Sequence, residues 1–382
     1  MPEEKKRGII KPRFIFSPML SYIGVCDRLE VTGVNDRIVN ILEQYDVTLL
    51  KTWKGRGALL CDTEQGLKII REYTGPLEKL CILEAVGQQL KEEGFLSDCI
   101  LRTKEGALYV RGRDGNAYIV KDYYEGRECL VSDSSDCVRA VEQLARIHLH
   151  LSVPPAAELR PLVQITPQQE ENDQKPEEKN GYRFRMFDPV KEYERYNREL
   201  KRIWKHLRNK SDKTDFEVFL LHHYPFFMEQ AEEALMLLKN ADVDTLYRQE
   251  EQKGVLCHGD FQYHNILFAE GGAFVMNYEK CMMDVQIRDF YLFFRKVLEK
   301  NNWNIYTGRQ LLEAYERIRQ ISDAEKYLLY LKLCYPERFR KVVSYYYNSG
   351  KAWIPGKNRE KVERLLSQED ARRSFLKNLF EA

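Results

Sequence analysis

The spacing of hydrophobic and polar positions changes near residue 126. Before that point, short apolar runs alternate as strands do, and turn pairs such as Glu105-Gly106 and Asp114-Gly115 separate them. The predicted strands are 47–51, 58–62, 67–73, 99–102, 107–111 and 117–122. The predicted helices in this part are 36–45 and 77–91. The pattern predicts a small antiparallel sheet with one helix across it.

After residue 126 the apolar spacing becomes helical and stays helical to the end of the chain. Predicted helices occupy 136–150, 191–209, 215–239, 285–300, 308–320, 322–333, 336–347 and 359–366. The start at Ser322 carries Glu325 three residues later, which is the form of a capping box. The whole chain therefore predicts an α+β fold with a small sheet lobe followed by a large, mainly helical lobe.

The lobes are expected at 31–122 and 123–382, after an N-terminal extension at 1–30. Within the large lobe, the polar and charged stretch at about 164–181 predicts a solvated, flexible insertion rather than a packed element.

The helix predicted at 191–209 is basic and carries interleaved aromatic residues, a combination that also occurs in nucleic-acid binding. Three acidic residues, Glu192, Glu194 and Glu199, are mixed into it. Mixed charge is typical of an ordinary solvated helix face, so we expect no nucleic-acid partner here.

Composition and charge exclude several classes of protein. The 382 residues are 43% hydrophobic and 31% charged, as in ordinary globular proteins, and the net charge of +1 provides no global attraction for nucleic acid or an anionic membrane. The 9 cysteines lack C-x-x-C spacing, which argues against a zinc or iron–sulfur site and fits reduced thiols. Since no leader or membrane span is visible, we expect cytoplasmic synthesis.

The segment 257–267 carries the candidate chemistry. Asp260 and Asn265 stand five positions apart between apolar stretches, as a catalytic base and a metal ligand do in kinase-like phosphotransferases. His258 completes the candidate catalytic loop, where we expect it to hold the loop by hydrogen bonds, and Gly259 permits a tight backbone. Asp289, at the head of the next apolar helix, is predicted to brace this loop.

These residues, together with a strand predicted to end at Asn277, resemble in their order the aminoglycoside phosphotransferase and choline kinase-like superfamily. Four stretches further resemble the CotS-type bacterial spore coat proteins, namely 123–128, 145–148, 294–303 and 335–355. The resemblance implies a bilobal protein kinase-like fold with ATP and Mg²⁺ as cofactors. It also implies synthesis in the mother cell, deposition in the spore coat and other coat proteins as partners.

By the same resemblance, Asp122, Tyr123 and Tyr124 belong to the hinge that meets the adenine of a nucleotide, and Asn265 and the residue at 277 are the metal ligands. The residue at 277 is Asn277 where the superfamily has Asp, and a neutral amide is a weaker ligand for a hard cation than a carboxylate. Glu279 and Asp284 are candidate substitutes for the lost carboxylate.

A second departure lies on the strand at 67–73. Arg71 stands where the superfamily has the lysine that grips the nucleotide phosphates, and arginine is longer and planar. Lys68, three residues earlier, is expected to face the other side of the sheet. The acidic partner of Arg71 is expected on the following helix, where Glu84 is favoured over Glu78.

Two functions stay open at this point. The first is a spore coat-associated protein with a kinase-like fold that is catalytically degenerate and acts in coat assembly by binding, with ATP and Mg²⁺ binding weakened or lost. The alternative is an active ATP-dependent phosphotransferase that acts on a hydroxyl of a small molecule or a protein.

Overall fold

A computed structural model describes residues 40–55, 57–154, 182–348 and 355–380. The N-terminal extension, the start of the helix predicted at 36–45, the polar insertion at 164–181 and most of the 351–355 stretch lie outside the described residues.

The N-terminal part is built on a five-stranded sheet. Its strands are β1 (Leu49–Gly55), β2 (Ala58–Thr63), β3 (Lys68–Tyr73), β4 (Val110–Arg111) and β5 (Ala117–Asp122), in the order β1-β2-β3-β5-β4. All neighbours pair antiparallel, which confirms the predicted sheet. The expected strand at 99–102 is reduced to a bridge between Ile100 and Lys121. The strand expected at 107–111 is shortened to β4. Its first residue, Ala107, instead belongs to a tight turn that is closed by hydrogen bonds to Thr103.

The register of β3 and β5 determines which side chains enter the space under the sheet. Arg71 lies opposite Ile119, and Ile69 lies opposite Lys121. Because alternate residues of a strand share a face, Arg71 and Lys121 project from the same face. Lys68 lies on the other face, where its Nζ contacts Asp122 at 2.9 Å.

The helix that crosses this sheet begins with a 3₁₀ turn at Leu77–Lys79 and continues as α1 (Leu80–Glu92). Its buried residues recur at helical spacing and include Leu83, Val86 and Leu90. The chain leaves the helix at Gly94, whose φ of 82° is accessible to glycine without strain.

The C-terminal part is mainly helical, as predicted. Its helices are α2 (Ser134–His150), α3 (Pro189–Asn209), α4 (Asp215–Asn240), α5 (Val243–Lys253), α6 (Ile287–Lys300), α7 (Ile305–Glu316), α8 (Asp323–Cys334), α9 (Glu337–Asn348), α10 (Pro355–Ser367) and α11 (Glu369–Phe380). A second antiparallel sheet joins β6 (Gly126–Glu128), β7 (Ile266–Ala269) and β8 (Gly272–Val275). The strand predicted to end at Asn277 corresponds to β8, which ends at Val275, whereas the helices α5 and α11 and the strands β6 and β7 were not predicted.

Helix starts in this part are set by side-chain caps. The capping box at Ser322 is confirmed, since its Oγ accepts from the Glu325 amide at 3.2 Å and Glu325 accepts from the Ser322 amide at 3.0 Å. Thr214 and Glu217 form the same motif at the start of α4. Such caps satisfy amides that have no partner inside the helix.

Candidate functional site

The loop 257–267 is held between the helical core and the segment 276–282. Cys257 and Met282 exchange two backbone hydrogen bonds, at 2.8 and 3.1 Å. The Cys257 thiol is fully buried and burial raises its pKa well above the usual value, so it is an inert core thiol. The Phe261 ring packs on Phe293 of α6 with a centroid distance of 5.6 Å, which fixes the other side of the loop.

Asp289 lies under the backbone of the loop. Its carboxylate is fully buried and accepts from the amides of His258 at 2.5 Å and Gly259 at 2.9 Å, and it lies 3.3 Å from Nε2 of His148. Burial raises the pKa of Asp289, but hydrogen bonding to His148 and to the amides outweighs it, and the pKa is lowered. The charged carboxylate is therefore satisfied and holds the two residues before Asp260 in place.

Gly259 is required by two features of this loop. Its φ is 78°, and a Cβ at this position would lie 2.2 Å from the carbonyl oxygen of Lys280. The close approach brings the segment 276–282 directly against the loop.

His258 has both ring nitrogens engaged. Its Nδ1 accepts from the Asp260 amide at 3.1 Å, and its Nε2 donates to the Met276 carbonyl at 3.0 Å. Because one nitrogen must accept while the other donates, the ring is the neutral tautomer with its proton on Nε2. This geometry supports the expected role of His258 in holding the loop.

Asp260 is also engaged by side chains of the protein. One carboxylate oxygen contacts Nζ of Lys280 at 2.9 Å, and the other accepts from Gln262. The Asp260 side chain is 17% exposed whereas that of Lys280 is 68% exposed, so the lysine covers the carboxylate from the solvent side. Neither partner of Asp260 was predicted.

The predicted metal ligands and the predicted phosphate ligand meet in one hydrogen-bonded chain. Asn265 donates to the Asp260 carbonyl at 2.8 Å, Asn277 donates to Oδ1 of Asn265 at 2.9 Å, and Arg71 donates to Oδ1 of Asn277. Asn277 lies just beyond β8 with φ of 73°, a left-handed conformation that asparagine adopts more readily than most residues. The sequence therefore identified residues that are neighbours in space.

This donor set does not fit a tightly held Mg²⁺ ion. Asn265 and Asn277 offer neutral amide oxygens, and each of those oxygens accepts a hydrogen bond from a side chain of the protein. Magnesium is usually bound through one or two carboxylates. The nearby carboxylate of Asp260 is paired with Lys280.

A buried cluster of three charges lies beside this chain and was not predicted. Lys121 Nζ contacts Asp98 at 2.5 Å and Glu279 at 2.6 Å, and Asp98 also accepts from the Asn277 amide at 2.7 Å. The side chains of Lys121, Asp98 and Glu279 are 3%, 4% and 24% exposed. The cluster joins the sheet to the segment 276–282. The sequence feature that indicates burial of Lys121, though not its partners, is that Lys121 shares the inward face of β5 with Ile119.

The charges of this cluster shift one another's pKa values. Burial lowers the pKa of Lys121, but the two carboxylates outweigh it and raise the pKa. Burial raises the pKa of Glu279, but the positive charges of Lys121 and Arg71 have the larger, opposite effect. The pKa of Glu279 is therefore lowered to about 2. Burial raises the pKa of Asp98, and the Lys121 charge opposes that rise.

The candidate substitutes for the lost carboxylate are both engaged elsewhere. Glu279 binds Lys121, as described above. Asp284 is fully buried and pairs with Arg288 at 2.9 Å.

Glu84 does not pair with Arg71, which corrects the prediction. Its carboxylate binds the guanidinium of Arg102 through two contacts, one of them Nε to Oε1 at 2.5 Å. Arg102, just before the turn into β4, provides a closer cation, and Arg71 instead reaches Asn277.

The hinge residues are partly committed to the protein itself. The amides of Asp122 and Tyr123 donate to the carbonyls of Cys99 at 2.9 Å and Leu67 at 3.0 Å. The Asp122 carboxylate contacts Lys68 at 2.9 Å. Tyr124 packs edge-on against Phe274 with a centroid distance of 5.0 Å.

Among the described residues, no group of three or more His, Cys, Asp or Glu side chains could hold a metal ion. In the same part of the chain, no helix is both long and apolar enough to cross a membrane.

Comparison with known proteins confirms the resemblance indicated by the sequence. A family model described as "Spore coat putative kinase YutH" matches residues 192–379, which include the loop 257–267. Spore coat protein S of Bacillus subtilis (strain 168) is 22% identical over 335 residues, covering 87% of this chain and 89% of that protein.

The solved structures confirm the fold. The aminoglycoside phosphotransferase of Alicyclobacillus acidocaldarius superimposes with a TM-score of 0.70 at 18% identity, covering 90% of this chain and 95% of that chain. Spectinomycin phosphotransferase in complex with ADP and spectinomycin gives a TM-score of 0.57 at 16% identity, covering 87% and 98%. The chain thus has the kinase-like architecture of these enzymes, with an antiparallel sheet followed by a mainly helical part.

Proposed function

We propose that this chain is a spore coat-associated protein that acts in coat assembly by binding, and that its kinase-like cleft no longer transfers phosphate efficiently. The similarity to Spore coat protein S over 87% of the chain supports the association with the coat. In this proposal the protein is made in the mother cell, is deposited in the coat and has other coat proteins as partners. Binding of ATP and Mg²⁺ is weakened or lost.

The hydrogen-bonded chain of Arg71, Asn277 and Asn265 carries this proposal. In an active site of this type, these three positions hold phosphates and metal ions. Here they bind one another, and two of them offer amides in place of charge. A ligand entering the cleft would have to break these contacts and would meet no free carboxylate at position 277.

The surroundings of Asp260 support the same conclusion. A catalytic base must lie within hydrogen-bond reach of the acceptor hydroxyl. Both oxygens of Asp260 already accept hydrogen bonds, from Gln262 and Lys280. Lys280 would have to move before a hydroxyl could reach the carboxylate.

One observation favours the alternative, an active ATP-dependent phosphotransferase on a small-molecule or protein hydroxyl. The backbone of the loop keeps the form that positions a base, with His258 and Gly259 both anchored on Asp289. Lys280 is largely exposed, so a bound acceptor could displace it.

Titration with ATP, with and without Mg²⁺, separates the two functions. Melting temperature and ATP turnover are followed for the wild type, for Asp260→Asn and for Asp212→Asn, a control at an exposed loop position. We expect no turnover that depends on both Mg²⁺ and Asp260. Mg²⁺-dependent turnover that is lost in Asp260→Asn and kept in Asp212→Asn would refute the degenerate cleft.

The coat function is tested separately. A fluorescent fusion of the chain is expressed in sporulating Bacillus subtilis, and its position in the spore is compared between wild type and Asp260→Asn. We expect both to reach the coat, because binding does not use the carboxylate. A fusion that stays in the mother-cell cytoplasm would contradict the coat role without bearing on catalysis.

A further inference from the structure

The outward face of α3 is uniformly cationic. Its exposed charged residues are Lys191, Arg195, Arg198, Lys201, Arg202, Lys205 and Arg208. The acidic residues of the same helix are all partly buried. The mixed charge seen in the sequence is therefore separated in space, with cations turned outward and carboxylates turned inward.

The three carboxylates are turned toward neighbouring helices. Glu192 lies 3.5 Å from Arg288, Glu194 lies 2.6 Å from Lys239, and Glu199 accepts from Asn348 at 2.8 Å. Glu194 also lies 3.9 Å from Arg198 and partly neutralises that cation, whereas Glu192 and Glu199 are held against α6 and α9. The exposed charges of this helix are therefore mostly cationic rather than evenly mixed.

Several of the outward cations have no carboxylate partner. Lys191 pairs with Asp188 at 2.8 Å and Lys201 pairs with Glu232 at 2.8 Å. In the part of the chain that the structure describes, no ion pair involves Arg195, Arg202 or Lys205.

These three cations and Arg198 form a continuous row, which we call the α3 stripe: Arg195, Arg198, Arg202 and Lys205. Successive members are three or four residues apart, so they lie on one side of the helix. At a rise of about 1.5 Å per residue, the stripe is roughly 15 Å long.

The aromatic side chains beside the stripe are not free to stack on bases. Tyr196 is covered by the guanidinium of Arg340, 3.7 Å from its ring centroid, and Trp204 packs on Tyr224 at 4.9 Å. The chain as a whole has a net charge of +1, whereas nucleic-acid-binding domains usually carry a strong excess of positive charge. The stripe therefore offers charge recognition without base recognition.

We propose that the α3 stripe docks an acidic helical segment of a partner protein. Guanidinium groups bind carboxylates through paired hydrogen bonds. Carboxylates at every fourth position of a helix repeat at about the spacing of the stripe, so the two rows match. The inference adds the chemistry of a partner to the binding function proposed above, but it rests on α3 and not on the cleft.

The test uses the full chain and a fluorescein-labelled helical peptide with Glu at every fourth position among alanines. Binding is followed by fluorescence anisotropy at about 25 and 150 mM NaCl, since exposed ion pairs weaken with salt. The stripe variant is Arg195→Gln/Arg202→Gln/Lys205→Gln. The matched control, Arg113→Gln/Arg248→Gln/Lys377→Gln, removes the same charge from exposed positions elsewhere.

We expect the stripe variant to weaken peptide binding at least tenfold at low salt, which corresponds to about 1.4 kcal/mol. The control should change the dissociation constant less than twofold, and a peptide with Gln in place of Glu should not bind. Equal losses in the two variants would overturn the proposal, because the binding would then follow net charge alone. Tighter binding to a DNA duplex than to the acidic peptide would overturn it in favour of nucleic acid.

The outcome is independent of the cleft. ATP turnover and the ATP-dependent melting shift of the stripe variant should equal those of the wild type. An acidic peptide that binds an active kinase through the stripe would refute the degenerate cleft and leave the docking surface standing.

Discussion

Replacing Lys121 by methionine tests whether the buried charge cluster holds the sheet to the segment 276–282. Methionine keeps most of the length of the side chain and removes only the ammonium group. Asp98 would then lie buried without a cation, next to the second carboxylate of Glu279. The variant should be destabilised, and the free energy of unfolding is the quantity to measure.

The magnitude follows from the two contacts of the ammonium group. At 2.5 and 2.6 Å, each contact provides roughly 6 kcal/mol of gross attraction if the effective dielectric constant is about 20. Desolvation offsets much of this attraction, but the carboxylates remain buried after the substitution. Removing one partner of a buried pair costs about 3–5 kcal/mol, and we expect a loss in that range at pH 7.

The assay is urea unfolding followed by circular dichroism, at pH 7 and pH 5. Lys104→Met, at an exposed position of the same lobe, is the control and should change the unfolding free energy by less than about 0.5 kcal/mol. Burial already raises the pKa of Asp98, and loss of Lys121 removes the charge that opposes this rise. A carboxyl with a raised pKa in the folded state favours folding as pH falls, so the deficit should be smaller at pH 5.

Neutralising the two acids restores the balance of the cluster. The triple variant Lys121→Met/Asp98→Asn/Glu279→Gln should recover most of the loss, since no charge is left unpaired. A loss below about 1 kcal/mol in Lys121→Met, or a deficit that grows toward pH 5, would refute this account of the cluster.

Three further predictions concern the same segment. Asn277→Asp restores a carboxylate, so ATP with Mg²⁺ should raise the melting temperature of the variant more than that of the wild type, and EDTA should abolish the difference. The pKa of Glu279 is lowered to about 2 from an ordinary 4.5, so its carboxylate contributes stability that is present above pH 4.5 and lost toward pH 2. Glu279→Gln should lack this contribution of about 3 kcal/mol. The unfolding free energies of the wild type and the variant should therefore converge as pH falls. Gly259→Ala should destabilise the protein by about 2–4 kcal/mol in urea unfolding, because the new Cβ would clash with the Lys280 carbonyl. The control is Gly66→Ala, where φ is similar but the space is open, and it should cost about 1 kcal/mol.

Periodicity and caps were sufficient for most of the fold. The long amphipathic helices, such as α2 and α3, showed their buried face in the sequence, and Ser322 marked the start of α8. The helix α5, which was not predicted, is polar and has few buried residues. Its hydrophobic pattern is therefore too weak to identify it, and tertiary packing stabilises it. The strands β6 and β7 have three and four residues, which is too short for alternation to be recognised.

The candidate site was only partly predictable. Asp260 and Asn265 share a loop, so their spacing in the sequence already constrains their distance in space. The buried cluster joins residues separated by 23 and 158 positions, and nothing in the sequence indicates such a pairing. The partner of Glu84 was mistaken for the same reason, because which face of a helix meets which strand depends on the packing of the lobe.

The anchoring of the loop on Asp289 bears on how such motifs are inherited. His258, Gly259 and Asp289 are held by contacts that maintain the folded chain, and none of those contacts requires a nucleotide. Natural selection for folding alone would therefore retain these three residues in descendants of an enzyme after its reaction had been lost. In such lineages, the presence of these three residues indicates descent from an enzyme rather than a present reaction.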